Sequence, residues 1–166
     1  TEIYTLSLHD ALPISLAAVV TTTEIANIFN NGMEYFNSFG GNPVSSAIGL
    51  SVLNVIEQEK LQQNGLDVGN YLLSELNLLK EKFEIIGDVR GTGLFIGVEL
   101  VKDLKTKEPA SEKAKVITNK MKEMGILLST DGSHNNVLKI KPPMVFTIEN
   151  AQLVIDSLER LLPKLS

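Results

Sequence analysis

The sequence has no cysteine, no tryptophan and few aromatic residues, and each shortage excludes a class of protein. Without cysteine there is no disulfide framework, no thiolate metal site and no cysteine nucleophile. Aromatic residues make up 5% of the 166 residues, which argues against a surface for stacking nucleic-acid bases. No apolar run approaches the roughly 18 residues of a membrane-spanning helix. We therefore expect neither nucleic acid nor a membrane among the partners of this protein.

The composition that is present is that of an ordinary globular protein. Fifteen basic residues against twenty acidic residues give a net charge of -5, which again argues against a nucleic-acid partner. Hydrophobic residues make up 43% of the chain, and a chain of this length can bury a substantial core. The absence of cysteine and of a credible leader favours the cytoplasm. The alternative is a mitochondrial protein whose leader has been lost.

The first residues do not fit a signal peptide, because they contain no lysine or arginine and do not begin with methionine. Residues 1–14 match, codon by codon, the translation of a common sequencing-library adapter, and the next adapter base can begin the codon for Ser15. We therefore expect residues 1–15 to be a non-native, adapter-derived segment and exclude them from functional interpretation. The alternative is a native amphiphilic strand and turn. The segment contains no lysine.

Hydrophobic periodicity predicts a mixed α/β chain. A buried strand is predicted over residues 16–23, and helices are predicted over residues 44–59 and 68–83. Residues 85–101 predict two strands joined by a tight glycine turn, and the last helix follows Thr147. Further short strands are predicted over residues 126–128 and 137–141. A boundary near residue 84 separates a helix-rich front from an α+β back.

The junction Gly40-Gly41-Asn42-Pro43 is the most informative local motif. Asn42 is a good N-cap for the following helix, and Pro43 suits its first turn. Two glycines also let the backbone approach a ligand, and a helix N-terminus attracts anions such as phosphate. Ser38 adds a hydroxyl donor. The pattern alone favours simple capping over phosphate binding and leaves both open.

Among the other polar motifs, one pair of lysines is open between a binding role and a structural role, and the rest indicate no binding site. Lys139 and Lys141 share one face of a predicted strand, where they form either an anion-binding face or a solvated edge. The glycine pattern over residues 91–97 does not fit a dinucleotide fingerprint, because its third glycine is one position late and no helix follows. Arg90 is interpreted as structural. His134 has no second ligand at suitable spacing, so we predict no metal site.

Five motifs in sequence order together resemble a known family. They span residues 16–22, 33–43, 86–100, 128–132 and 137–144, and the resemblance covers about nine tenths of the chain. The set is similar to the C-terminal part of class III (ω-type) aminotransferases, which depend on pyridoxal phosphate. It is most similar to the branch of alanine-glyoxylate aminotransferase 2, which includes the ethanolamine-phosphate phospho-lyases.

The resemblance implies a fold and an assembly. Family members have fold type I, with a large domain built on a mostly parallel sheet, a small α+β C-terminal domain, and active sites at a homodimer interface. Residues 16–83 would then be the tail of the large domain, and residues 84–166 the small domain. The implied cofactor is pyridoxal 5'-phosphate, and the implied substrate is a small amine.

The resemblance also implies roles for individual residues. Family members place a threonine at the position of Ser38, where its hydroxyl contacts the cofactor phosphate bound in the neighbouring subunit; Gly40, Gly41 and Asn42 would shape that phosphate cradle. Lys139 takes the position of an arginine that clamps the substrate carboxylate in many family aminotransferases. Lysine lacks the rigid guanidinium fork. This difference favours a phosphorylated amine, and therefore phosphate elimination over transamination.

No catalytic residue is expected in the chain. In the family, the lysine that forms the Schiff base with the cofactor lies a few residues before the segment matching Leu16, and the aspartate that pairs with the pyridine nitrogen lies further upstream. The first of these places falls within residues 1–15, which contain no lysine. We therefore expect an inactive fragment of an enzyme. The alternative is a non-catalytic dimerisation or association module.

Overall fold

The computed structural model describes residues 19–33, 36, 38 and 40–164. The chain forms two compact units, Thr1–Glu59 and Lys60–Ser166. The expected non-native segment, residues 1–15, lies outside the described residues. The expected boundary near residue 84 concerns the domains of a complete enzyme, whereas the second compact unit begins at Lys60 in the sequence. That domain division therefore stays a prediction.

The described residues of the first unit form two helices, α1 over Thr23–Phe29 and α2 over Pro43–Gln58. The hydroxyl of Thr22 caps α1 by accepting the backbone N–H of Ile25 at 3.4 Å. No residue of either helix is buried. The prediction of a buried strand over residues 16–23 is wrong for residues 19–22, which are exposed and form no strand. Apolar, β-branched composition alone did not distinguish a strand from an exposed segment before a helix.

The second unit combines three helices with a four-stranded sheet. Its elements are α3 over Leu61–Lys82, β1 over Ile86–Thr92, β2 over Phe95–Leu100, α4 over Ser111–Glu123, β3 over Ser129–Asp131, β4 over Val137–Ile140, α5 over Ile148–Leu161 and a 3₁₀ turn over Leu162–Lys164. The strand order is β1-β2-β4-β3, and every neighbouring pair is antiparallel. The short strand predicted over residues 126–128 is wrong, because pairing with β4 begins at Ser129.

The sheet has one buried face and one face that the helices of the second unit leave uncovered. Ile96, Val98 and Leu100 alternate along β2 and are at most 1% exposed, because they pack with apolar residues of α3, α4 and α5. Their neighbours in register on β4 are Leu138 and Ile140. The intervening side chains point to the opposite side, which we call the open face. Its residues are Asp88, Arg90, Thr92, Phe95, Gly97, Glu99, Ser129, Asp131, Val137 and Lys139.

A glycine of α3 lets this helix lie directly against the turn between β1 and β2. A Cβ atom at Gly69 would lie 2.2 Å from the carbonyl oxygen of Gly93. No side chain fits in that space, so the contact requires glycine. The helical pattern in the sequence was recognised only from Val68, although α3 begins at Leu61. Gly65 and Gly69 lower helix propensity, and this tertiary contact explains the second of them.

Candidate functional site

The predicted phosphate cradle lies immediately before α2. Gly41 has a φ of +71°, a backbone conformation that favours glycine, and a Cβ there would meet no atom within 4 Å. The side-chain oxygen of Asn42 accepts the N–H groups of Val44 and Ser45 at 2.9 Å and 3.1 Å. The predicted capping role of Asn42 is therefore confirmed.

This capping changes which donors remain for a phosphate. Pro43 has no N–H, and the N–H of Ser46 donates to the carbonyl oxygen of Asn42 at 2.9 Å. Together with the two bonds to the Asn42 side chain, this engages the backbone donors in the first turn of α2. The predicted cradle also contains the Ser38 hydroxyl, the Gly41 N–H and the N–H₂ of the Asn42 carboxamide, whose role toward a phosphate stays a prediction. These donors are uncharged and come from a segment ahead of the helix.

The second candidate group lies on the open face of the sheet. The ammonium of Lys139 donates to Asp131 Oδ2 at 3.0 Å, and Asp131 Oδ1 accepts the N–H of Gly132 at 2.8 Å. The hydrogen bond from Lys139, and next the bond from Gly132, lower the pKa of the Asp131 carboxyl below its ordinary value. Lys139 is therefore held beside a carboxylate that the backbone itself holds in place.

Arg90 occupies the same row of the open face on the outer strand β1. Its Nη1 donates to Asp88 Oδ2 at 2.9 Å and to Glu99 Oε2 at 2.7 Å. The hydrogen bond from Arg90 is the main cause that lowers the pKa of the Asp88 carboxyl, and Lys80 of α3 approaches the same carboxyl at 3.5 Å. The guanidinium joins β1 to β2, so the structural interpretation of Arg90 is confirmed.

A cavity of about 560 Å³ opens over the open face. Gly97 lies in register between Arg90 and Lys139, and all three line the cavity. A Cβ at Gly97 would lie 3.0 Å from Val137 Cγ1, so a larger residue would both crowd Val137 and fill the floor of the cavity. The missing side chain thus leaves room for a ligand between two cationic residues.

A second cavity of about 600 Å³ shares Lys139 with the first and is also lined by Lys141. The ammonium of Lys141 lies 5.8 Å from the centroid of the Phe95 ring, which is the distance of a cation–π interaction. Phe95 belongs to the open face. The expectation that Lys139 and Lys141 share one face is therefore confirmed.

The sequence-predicted site residues fall into the two units. Ser38, Gly40, Gly41 and Asn42 belong to the first unit, and Lys139 belongs to the second. Their roles toward a cofactor or a substrate stay predictions. In the part of the chain that the structure describes, no group of three or more His, Asp or Glu residues is placed to hold a metal ion. Among the same residues no helix is long and apolar enough to cross a membrane.

Sequence reasoning missed two residues of this site. Asp131 falls within the family motif over residues 128–132, but its contact with Lys139 depends on the pairing of β3 with β4. Phe95 was noted only as part of a glycine-containing motif. Alternation along β2 could have placed Phe95 and Gly97 on the face opposite Ile96.

Comparison with known proteins identifies the family. The family model for class-III aminotransferases matches residues 7–162. The chain belongs to the class-III aminotransferase family. The match begins within residues 1–15, and the adapter origin of that segment stays a prediction.

Individual class-III relatives agree with this assignment. The chain is 51% identical over 150 residues to alanine–glyoxylate aminotransferase 2 homolog 2, mitochondrial, of Arabidopsis thaliana, which covers 90% of this chain and 31% of the relative. The chain is also similar to the structure of a phospholyase from Arthrobacter in complex with phosphoethanolamine, with a TM-score of 0.79 and 38% sequence identity. The match covers 88% of this chain and 35% of the phospholyase chain. The structure of an amine transaminase from an uncultivated Pseudomonas species, solved in its PLP-bound form, matches this chain with a TM-score of 0.73 and 29% sequence identity. That match covers 87% of this chain and 34% of the transaminase chain.

These matches confirm the resemblance inferred from the five motifs, including its aminotransferase and phospholyase members. The mixed α/β fold of this class-III chain corresponds to part of the larger transaminase fold. The chain spans about a third of the length of the proteins it matches.

Proposed function

We propose that this class-III aminotransferase chain is the C-terminal part of a pyridoxal-phosphate-dependent enzyme that acts on a small amine. The observation that carries the proposal is the pair of donor groups described above. One group, before α2, offers uncharged donors suited to a phosphate; the other, around Lys139, offers a cation over a cavity of about 560 Å³. Family membership and the PLP-bound transaminase to which the chain is similar support the choice of cofactor.

In this proposal the segment from Ser38 to Asn42 holds the cofactor phosphate of the neighbouring subunit in a homodimer. Gly41 brings the backbone N–H to the phosphate, and the Ser38 hydroxyl and the Asn42 amide add two side-chain donors. When bound, pyridoxal phosphate supplies an aldehyde and an electron-withdrawing ring that weaken a bond at the carbon bearing the amine. Asn42 keeps its side-chain oxygen on α2, so its N–H₂ group is held in a fixed orientation.

The substrate side of the proposal rests on Lys139. An ammonium is a compact point charge with rotating donors, so it binds phosphate as readily as carboxylate, and it lacks the rigid fork with which arginine clamps a substrate carboxylate. Lys139 therefore favours a phosphorylated amine and phosphate elimination over amino-group transfer. The similarity to a phospholyase solved with phosphoethanolamine supports this choice.

We also propose that the chain by itself does not turn over an amine. The residues implied to anchor the cofactor covalently and to pair with its pyridine nitrogen lie, by the resemblance, before Leu16. The resemblance places Lys139 and Lys141 away from the cofactor-anchoring position, and Lys139 is bonded to Asp131. A purified sample of this chain that shows a cofactor absorbance band and consumes an amine would contradict this part of the proposal.

The test supplies the missing part in trans. The N-terminal portion of the Arabidopsis relative, ending before the matched region, is mixed with this chain and with pyridoxal phosphate. We expect a cofactor absorbance band that neither part gives alone, and release of inorganic phosphate from phosphoethanolamine. Production of an amino acid from a keto acid, without phosphate release, would instead establish transamination. A mixture that binds no cofactor would contradict the proposed enzyme.

A second candidate function is association without catalysis, and the surface of the first unit favours it. Along α2, Leu50, Val52 and Leu53 are 61%, 53% and 62% exposed, and no residue of the helix is buried. Apolar side chains that remain exposed in this number favour association with another surface. The proposed homodimer would use the same property in the complete enzyme.

Sedimentation at several concentrations of the chain tests this second candidate. Association through α2 predicts a concentration-dependent rise in mass that Leu53→Glu abolishes. Asn54→Glu adds the same charge at a neighbouring exposed polar position and should leave the rise unchanged. A chain that stays monomeric at all concentrations would exclude an association module.

The compartment stays a prediction. The sequence favours the cytoplasm, whereas the Arabidopsis relative is named as mitochondrial, which supports the alternative. Localisation of the complete protein in cells decides between them.

A further inference from the structure

The charged residues of the open face are largely paired with one another. Asp88 and Glu99 both accept hydrogen bonds from Arg90, and Asp131 accepts one from Lys139. Each of these three carboxylates therefore already has a cation beside it. An anionic ligand that approaches Arg90 or Lys139 also approaches their carboxylate partners.

This pairing weakens Lys139 as an anion-binding residue on its own. Its ammonium lies 3.0 Å from a carboxylate oxygen of Asp131. A ligand anion beside Lys139 would be attracted by the ammonium and repelled by the Asp131 carboxylate, which lies only a few ångströms further away. The repulsion offsets part of the attraction, so an anion on this face binds more tightly where another positive charge lies nearby.

Lys141 is that further charge. Lys141 is exposed, and among the described residues its ammonium has no carboxylate within ion-pair distance. The ammonium instead makes a cation–π contact with the ring of Phe95. A cation–π contact holds the ammonium in place without neutralising its charge. Lys141 also lines the second cavity, together with Lys139 and Ser129.

We propose that Lys141 is a specificity-determining residue that, together with Lys139, forms a subsite for the phosphate group of a small phosphorylated amine. A phosphate monoester carries close to two negative charges at neutral pH, so it gains from two ammonium groups where a carboxylate gains from one. Ser129 adds a hydroxyl donor at the same place. The proposal rests on the proposed function, because it assigns the substrate class of the site around Lys139.

The test measures binding of phosphoethanolamine to the chain alone, by NMR titration at low ionic strength. 4-Aminobutyrate, which has the same number of atoms between its amine and its acidic group but carries a carboxylate, is the comparison ligand. We expect phosphoethanolamine to bind more tightly and to shift the signals of Phe95 and Ser129. Lys141→Met should weaken its binding about tenfold, because a hydrogen bond to a charged group is lost.

Two further variants control for general charge and for folding. Lys115→Met removes an equal charge from an exposed residue of α4 that lines neither cavity, and it should change the affinity less than about twofold. Lys141→Arg keeps the charge and should keep the binding. Equal weakening by Lys115→Met and Lys141→Met, or equal affinity for the two ligands, would overturn the subsite. Failure of the trans mixture to bind cofactor, with phosphoethanolamine binding intact, would overturn the proposed function and not the subsite.

Discussion

Replacing Gly69 by alanine tests how the second unit is packed. The added Cβ would lie 2.2 Å, 2.4 Å and 2.6 Å from the O, C and Cα atoms of Gly93. These are backbone atoms, so α3 or the β1–β2 turn must move. Overpacking of this kind costs up to about 3 kcal/mol, and the gain in helix propensity returns about 1 kcal/mol. We expect a net loss of about 2 kcal/mol in the free energy of unfolding, or a decrease of about 10 °C in Tm.

Gly65→Ala is the matched control on the same helix. The nearest atom to its added Cβ would be Leu94 Cδ1 at 3.7 Å, which is an ordinary contact. This variant should therefore gain up to about 1 kcal/mol from helix propensity alone. Urea unfolding followed by far-UV circular dichroism measures both variants. A Gly69→Ala protein at least as stable as the Gly65→Ala protein would refute the close approach of α3 to the turn.

Three other predictions concern hydrogen bonds and charge. Asn42→Ala should cost α2 about 1 kcal/mol and speed the hydrogen exchange of the Val44 and Ser45 amides, whereas unchanged exchange would contradict the cap. Asn136 is 4% exposed and donates to the carbonyl of Leu100 at 2.8 Å, so Asn136→Ala should lower the free energy of unfolding by about 1–2 kcal/mol in the same urea assay; a change near zero would contradict this role. The pKa of Asp88 is lowered in the folded protein, so its contribution to stability is present above its unfolded pKa and is lost as the pH falls through the lower folded value. Asp88→Asn should therefore reduce the loss of stability on acidification below about pH 4, and a stability–pH curve identical to that of the original chain would contradict it.

Local signals in the sequence predicted much of the secondary structure. The Asn42-Pro43 pair marked the start of α2, and Thr147 marked the start of α5, where its hydroxyl accepts the N–H of Asn150 at 3.3 Å. These signals work because capping depends only on residues within one turn. The start of α3 was missed because Gly65 and Gly69 lower helix propensity, and only the tertiary contact with the β1–β2 turn explains the glycine at position 69.

The candidate site was predicted less completely, because its geometry depends on strand register. Spacing alone placed Lys139 and Lys141 on one face. It did not reveal that Lys139 is bonded to Asp131, which lies on another strand eight residues earlier, or that Phe95 holds Lys141. The family motifs gave Ser38, Gly40, Gly41 and Asn42 their expected roles, and the structure shows that the Asn42 side chain engages the N–H groups of Val44 and Ser45.

Retention of pyridoxal phosphate by the two-part enzyme tests the central claim most directly. This chain and the N-terminal portion of the Arabidopsis relative are mixed with the cofactor, passed through a desalting column and assayed for bound pyridoxal phosphate. The account predicts that the mixture retains the cofactor and that Ser38→Ala in this chain loosens it. Retention that is the same with and without this chain would contradict its role as the C-terminal part of the cofactor site.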